Sequence, residues 1–360
     1  MFLQKINLTN FKNHANREFA FSQKFSAFVG ANGSGKTNLL DLIYFLSMTK
    51  SYFNLTDQQL IKWDSDFLRI EADFQNSTQS LSLTVKLPQG KRKTITLNEV
   101  NYTKASDHIG EIPVMIISPE DVNIIQGASE ERRKLFDSVI SQVDKQYLES
   151  LIQYTKVLEQ RNSLLKLKAE RPATDMSIIA FYNQQLAQHG SYIFAKRKDV
   201  FERFEIIFQQ YYNLICGEKE HVKWQYISQL LHGDWETLFN QTLPKDLILQ
   251  RTSAGIHKDD FEFSIHGEKI KKFGSQGQQK SFSIALKLSL YQYLYEMKGQ
   301  APILLIDDVF DKLDKNRMKQ LIQILQTEKF GQIFITDTDE IRLKEVFGAD
   351  NDTVAIYRIA

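Results

Sequence analysis

The segment Gly30-Ala31-Asn32-Gly33-Ser34-Gly35-Lys36-Thr37 matches the phosphate-loop pattern GxxxxGK[ST] without a mismatch. Ahead of it, Phe25-Ser26-Ala27-Phe28-Val29 is an apolar, strand-like run. Behind it, Asn38-Leu39-Leu40-Asp41-Leu42-Ile43-Tyr44-Phe45-Leu46 carries apolar residues at helical spacing. Strand, loop and helix in this order commit the region to an α/β fold in which backbone N–H groups and a helix N-terminus face one anion. Read this way, residues 30–37 hold the phosphates of ATP, Lys36 adds a mobile positive charge, and the Thr37 hydroxyl is a ligand for Mg²⁺. Glycine belongs where the backbone approaches oxygen closely or takes a positive φ. A glycine turn that matches by chance is the competing reading, and the flanks speak against it.

The second half of such a site lies near the C-terminus. Ala301-Pro302-Ile303-Leu304-Leu305-Ile306 is a continuous apolar run ending in Asp307-Asp308, the pattern of a parallel strand buried on both faces. Asp307 is placed to hold the Mg²⁺ shell through water, and Asp308 to orient or deprotonate the attacking water. Many ATPases carry Glu at that second position. Asp reaches about one methylene less far, which predicts slow hydrolysis and ATP used as a switch more than as fuel. Lys36, Asp307 and Asp308 are therefore the candidate catalytic residues. Two carboxylates capping a helix from Lys312 to Leu325 are the structural alternative, compatible with that role.

Between these motifs, Gly274-Ser275-Gln276-Gly277-Gln278-Gln279-Lys280 stands directly ahead of a helical stretch from Ser281 to Met297. A small hydroxyl-bearing helix start suits an anion, although a plain serine-glycine cap reads the same way. The arrangement resembles the ABC class of ATPases. That resemblance implies that Ser275, Gln276, Gly277 and Gln278 cover the γ-phosphate held by the opposite subunit, so that two ATP molecules are sandwiched in a two-fold homodimer.

Further stretches narrow the resemblance. Ser118-Pro119-Glu120-Asp121, Gly127 and Glu131 to Asp137 are similar to the SPED…G…RRRFLD block of the RecF family. Gln160 to Lys166 is similar to its QRNxLLK segment, Gly274 to Lys280 to its GSQGQQ[RK] signature, and Ile306 to Asp314 to its DDVFSELD element. The likeness implies an ATP-dependent DNA-binding mediator of repair and recombination, dimerising on ATP at gapped or single-strand/double-strand DNA. It implies RecR and RecO as partners, help in loading RecA, and a place in replication-fork repair and the SOS response. Departures exist. Gly255-Ile256-His257-Lys258-Asp259-Asp260 stands where the family has GPHRDD, with Ile256 and Lys258 replacing its proline and arginine. Asp337 occupies the place where many ABC ATPases carry a γ-phosphate-sensing histidine.

Charge is nearly balanced, with 45 Lys plus Arg against 44 Asp plus Glu, so DNA contact is local and not a general attraction. Candidate patches are Lys91-Arg92-Lys93, Lys196-Arg197-Lys198, and Lys269 with Lys271 and Lys272; each alone also reads as a solvated face. Lys91 to Lys93 follow the hairpin turn Pro88-Gln89-Gly90, which predicts an exposed site. His257, Asp259 and Asp260 read as capping or salt-bridge residues before they read as metal ligands. The single cysteine, Cys216, excludes an internal disulfide. The N-terminus carries no leader pattern, and no apolar run approaches the roughly 20 residues of a membrane span, so a cytoplasmic protein without a membrane partner domain is expected.

Strand-like runs at Phe2–Leu8, Phe19–Val29, Phe67–Phe74, Leu81–Leu87, Thr94–Val100 and Val114–Ser118 precede a helical region from Ser129 to about Cys216. The region breaks near Lys168 to Thr174, which suits two helices pairing as an antiparallel arm. Phe201, Phe204, Phe208 and Tyr211 recur at helical spacing and need only helix packing. The expected fold is an α/β, ABC-type ATPase head with a mixed sheet around the nucleotide loop, an inserted helical lobe and no long coiled coil. Residues 1–120 and 251–360 form the ATPase sheet and residues 121–250 the helical lobe. Two other readings compete: a protein-recruitment module that holds ATP and barely hydrolyses it, and a soluble ATPase subunit of another system.

Overall fold

The computed structural model describes residues 1–217, 220–310, 313–347 and 354–360. The chain divides into two compact units, one of Met1–Asp121, Tyr211–Gly217 and Lys280–Ala360, the other of Val122–Gln210 and Glu218–Gln279. The segment 251–279 thus belongs with the helices and not with the terminal strands.

The first unit opens with β1 (Phe2–Phe11), β2 (His14–Ala20), β3 (Phe25–Val29), α1 (Lys36–Met48), β4 (Phe67–Gln75), β5 (Ser80–Pro88), β6 (Thr94–Leu97), β7 (Val100–Asn101) and β8 (Val114–Ile117). Alternate residues of β4 and β5 are buried, as in an antiparallel sheet with one solvated face. These strands lie in the order β2-β1-β4-β5-β6-β7. The buried face joins Leu3, Ile6 and Leu8 to Leu68, Ile70 and Phe74, and packs on Leu39, Leu42 and Phe45 of α1. β3 and β8 are instead buried along their whole length.

The second unit contains α2 (Val122–Gln126), α3 (Ser129–Val143), α4 (Lys145–Glu170), most of α5 (Ile179–Cys216), β9 (Val222–Ile227), α6 (Trp235–Leu249), β10 (Asp260–Ile265), β11 (Glu268–Lys269), α7 (Ile270–Phe273) and the start of α8 (Gln276–Lys298). Back in the first unit come β12 (Ile303–Asp307), α9 (Lys315–Leu325), β13 (Ile333–Asp337), α10 (Glu340–Phe347) and β14 (Val354–Arg358). These strands complete a parallel sheet in the order β14-β3-β13-β12-β8. Lys312, where the sequence starts the helix after Asp308, lies outside the described residues, as does Asp311 in the Ile306–Asp314 segment.

The apolar run Phe19–Val29 is two strands in two sheets. Phe19 lies one residue before the end of β2 at Ala20, and the chain crosses at Phe21 before β3 begins. Phe19, Phe21 and Phe28 all enter one core, with Phe19–Phe28 ring centroids 5.7 Å apart, so hydrophobicity continues through the turn and hides it.

In the second unit α4 and α5 run antiparallel. Asp144, at the start of α4, accepts from Tyr192 and pairs with Lys196 at 2.8 Å, whereas Arg161 further along α4 donates to Asn183 at 2.8 Å. Phe201, Phe204 and Phe208 pack on Trp224 of β9, with centroids 4.5–5.7 Å away, which is core packing. Tyr211, in the first unit, donates to Gln292.

Beneath this core lies an ion network. The Arg197 guanidinium grips both oxygens of Asp137 (Nε–Oδ1 2.9 Å, Nη2–Oδ2 2.8 Å) and reaches Asp259 Oδ2 at 3.2 Å. Lys196-Arg197-Lys198 is therefore not an open basic patch, because Arg197 is 2% exposed and faces inward. Asp260 pairs with Arg132 at 2.7 Å. His257 sits between the Tyr154 hydroxyl (2.9 Å) and the Thr252 carbonyl (3.1 Å).

Burial lowers the His257 pKa to about 4. The unfolded chain takes up a proton near pH 6.5 while the folded chain does not until about pH 4. Stability is present above pH 6.5 and falls as pH drops through this window, by ~3 kcal/mol from this group. Urea unfolding between pH 7 and 4.5 is expected to show a midpoint falling less steeply in His257→Gln than in the parent chain.

Candidate functional site

α1 starts at Lys36, straight after Gly35, whose φ of 100° lies in the left-handed region. A Cβ on Gly35 would stand 2.4 Å from Asn13 Nδ2 and 2.7 Å from His14 Nε2. Asn13 lies in the β1–β2 turn and His14 is the first residue of β2. Asn13 donates to the Ser34 carbonyl at 3.1 Å and accepts from Asn38 at 2.8 Å; His14 Nε2 lies 3.2 Å from the Gly35 carbonyl. Burial lowers the His14 pKa, so a neutral ring with its proton on Nε2 suits that carbonyl. Sequence reasoning misses Asn13 and His14: a polar pair between two strand runs reads as a turn, and nothing local says that the turn buttresses the phosphate loop.

The Lys36 ammonium donates to the carbonyls of Gly30 and Ala31, both at 2.8 Å. Ser34 Oγ is buried without a protein partner, an orphan that an anion's oxygen would satisfy. Thr37 Oγ1 donates to Asp307 Oδ1 at 2.8 Å, and Thr336 Oγ1 donates to the same oxygen at 2.7 Å. The sheet makes this meeting: β12 and β13 pair in parallel with Asp307 opposite Thr336, and β13 lies beside β3, which feeds the loop. Asp308 has φ 46°, a left-handed conformation that Asp tolerates better than most residues, and its N–H donates to Thr336 Oγ1 at 3.0 Å. Thr336 is a further residue that no motif marks.

Asp307 is 5% exposed. Burial raises its pKa, the Thr336 and Thr37 hydroxyls work against the rise, Asp308 adds to it and Lys36 opposes. A hydroxyl and a carboxylate converging at the loop's end are the hard oxygen donors that Mg²⁺ prefers, so the residues fit that ion. Because the folded pKa is raised, the ionised form is a stability cost at neutral pH that disappears as pH falls below the folded value. Asp307→Asn keeps an oxygen for both threonine hydroxyls and removes the charge. It is expected to raise the melting temperature of the nucleotide-free protein while abolishing any further rise on adding Mg-ATP, both readable by differential scanning fluorimetry.

The cap of α9 is Asp314, whose carboxylate accepts from Arg317 N at 3.0 Å, so Asp307 and Asp308 are not needed as caps. Asp337 is 1% exposed and paired with Arg342 at 2.6 Å, a carboxylate already neutralised by α10.

In the second unit, Ser275 and Gln278 form a reciprocal cap at the start of α8: Gln278 N donates to Ser275 Oγ (3.2 Å) and Ser275 N donates to Gln278 Oε1 (2.8 Å). Gln278 Nε2 also donates to Glu220 at 2.7 Å. Ser275 and Gln276 are exposed, Gly277 and Gln278 half-buried.

The basic candidates separate. Lys91 and Arg92 are exposed in the β5–β6 connection. Lys93, expected there too, is instead drawn inward, with its ammonium 2.8 Å from both Asp57 oxygens and 2.6 Å from the Thr49 carbonyl. Its charge is satisfied within the fold, which removes it from the patch. Lys271 donates to the Gly127 carbonyl at 3.0 Å, Lys272 lies over Phe273, and Lys269 pairs with Glu262 at 2.6 Å.

A family model described as RecF/RecN/SMC N terminal domain matches residues 2–358. The DNA replication and repair protein RecF of Flavobacterium johnsoniae is 45% identical over 359 residues, covering 100% of both chains. This chain belongs to the RecF family. The RecF of Cytophaga hutchinsonii is 44% identical over 359 residues, covering 100% of this chain and 95% of its own. A solved structure of the recombination mediator protein RecF with ATPrS, from the RecFOR pathway, superposes with a TM-score of 0.88 at 29% identity, covering 100% of this chain and 96% of that one. An Smc head domain from Pyrococcus furiosus superposes at 0.56 with 18% identity, covering 100% of this chain and 94% of that one, which speaks to fold alone. The fold is thus the α/β ATPase head that RecF and SMC proteins share, and the chain belongs to an ABC/SMC-type ATPase family. Among the described residues, no helix is long and apolar enough to cross a membrane.

Proposed function

We propose that this chain is an ATP-dependent, DNA-binding mediator of replication-linked repair and recombination, working in the cytoplasm as a homodimer that forms on ATP. The observation that carries the reading is the hydrogen bond from Thr37 to Asp307, which unites the phosphate loop with the acidic strand end in a chain that matches a solved RecF–ATP structure along 94% of its length. Residues 30–37 surround the phosphates, Lys36 releases its two loop carbonyls to meet the anion, and Thr37 and Asp307 hold Mg²⁺. That ion would supply charge neutralisation at the β- and γ-phosphates. Asp308 orients the attacking water; its short side chain supports slow turnover, with hydrolysis resetting the clamp. Ser275, Gln276, Gly277 and Gln278 meet the nucleotide of the opposite subunit, and Ser275, exposed and capped within its own chain, is free to do so. The relatives' names, a DNA replication and repair protein and a recombination mediator of the RecFOR pathway, support repair of replicating DNA with RecR and RecO as partners; assistance to RecA loading at gaps rests on the family resemblance.

Sedimentation velocity tests the assembly step. Mg-ATP is expected to convert a monomer to a dimer, and Ser275→Arg to remain monomeric while still binding nucleotide. A chain that stays monomeric with Mg-ATP overturns the sandwich reading.

A further inference from the structure

In the turn Gly255–Asp259 the backbone faces inward. The Ile256 carbonyl accepts from Arg197 (2.8 Å), the Asp259 carbonyl from Arg133 (2.6 Å), and Gly255 N donates to Gln229 (3.1 Å). The exposed residue of the turn is Lys258. The turn lies against the end of α6, since Arg251 N donates to the Asp246 carbonyl at 3.2 Å and His257 Nε2 lies 3.1 Å from the Thr252 carbonyl, so Lys258 is gathered with Arg251 and Lys245, with Arg133 bound at the next carbonyl; burial first, then these like charges, lower the Lys258 pKa, with Asp246 opposing. Lys245 stands in the last turns of α6 and Arg251 just past its end, and both are exposed.

The carboxylates of this region are committed elsewhere. Asp246 is fully buried and accepts from Arg161 and from Ser253. Asp259 serves Arg197 and Tyr226, and Asp260 serves Arg132. Among the described residues Lys245, Arg251 and Lys258 have no ion pair. The C-terminal carbonyls of α6 favour a cation, but they account for one and not for a group drawn from α3, α6 and two turns. Lys245, Arg251 and Lys258, gathered without an ion-pair partner, repel one another, and an anionic partner relieves that repulsion.

We propose that Lys245, Arg251 and Lys258, with Arg133 behind them, contact the phosphate backbone of DNA on the second unit. This rests on the DNA-binding reading above and assigns it residues that no motif marks. A duplex carries one negative charge per ~1.7 Å of axis, so cations from separate segments can meet successive phosphates.

The test is fluorescence anisotropy of a labelled gapped duplex with Mg-ATP across a salt series. Lys245→Glu/Arg251→Glu/Lys258→Glu is compared with Lys198→Glu, whose ammonium is already 3.9 Å from Glu202. The triple variant is expected to bind at least ~10-fold more weakly, with the slope of log affinity against log salt reduced by about 2–3; the control should shift less than ~2-fold. If the triple variant does not fold, Lys258→Ala alone should reduce the slope by about 1. Unchanged affinity and slope in the variants, with the parent chain binding, overturn this contact and leave the DNA reading standing. Failure of the parent chain to bind overturns both. Retained DNA binding with lost binding of polyglutamate would assign the cluster to an acidic protein segment and overturn the proposal.

Discussion

Lys36→Ala is expected to lower ATP hydrolysis by about 100- to 1,000-fold, the scale on which one preorganised donor to a reacting phosphate or oxyanion counts. The Lys36 ammonium is satisfied by the Gly30 and Ala31 carbonyls at the mouth of the loop. Truncation leaves two carbonyls that water can satisfy, and the fold should tolerate it. The loss falls on the ligand side: a nucleotide at 100 times its dissociation constant stabilises by about 2.7 kcal/mol, and the variant should lose most of that thermal shift. A variant that melts like its parent without nucleotide but no longer responds to Mg-ATP is the expected pattern. One that melts much earlier without nucleotide would assign Lys36 a structural role instead.

Arg197→Ala is expected to give the largest stability loss of any single substitution in the second unit, about 3–5 kcal/mol. It strips the counter-charge from Asp137 and Asp259 at once, and Asp259 is 1% exposed. Against a typical total of about 5–15 kcal/mol, such a loss leaves the unit marginal. Arg197→Lys should recover only part, since one ammonium cannot grip Asp137 with two parallel bonds. Combining Arg197→Ala with Asp259→Asn should cost less than the sum of the two, because the second change removes one of the stranded charges. Tryptophan emission during urea unfolding reads this unit, which holds Trp224 and Trp235; Trp63 in the first unit is already 85% exposed.

The phosphate loop and the acidic strand end declare themselves because each is local, whereas the start of α8 does not: the sequence opens that helix at Ser281, but Ser275 caps it and Gln276 to Lys280 are already helical. The two-sheet division does not declare itself either, since Phe19, Phe21 and Phe28 share a core and their hydrophobicity runs through the turn between β2 and β3. Arg197 was hidden by its neighbours Lys196 and Lys198, which read as a charge run. Helical spacing could have found it, for Arg197 continues the buried stripe of Leu186, Ile193, Val200 and Phe204. Lys93 is the same lesson in a hairpin: its fate is set by Asp57, thirty-six positions away. Asn13, His14 and Thr336 reach the site through strand pairing, which a one-dimensional pattern does not carry.

The central claim is that ATP assembles the DNA-binding form. The most direct measurement is the anisotropy of a gapped duplex titrated with the protein, with Mg-ATP and without nucleotide, using Lys36→Ala and Ser275→Arg as comparisons. Binding that tightens only with Mg-ATP, and is lost in both variants, is the predicted result. Equal, weak binding in every condition would contradict the account, and would point to a protein-recruitment role for the nucleotide switch.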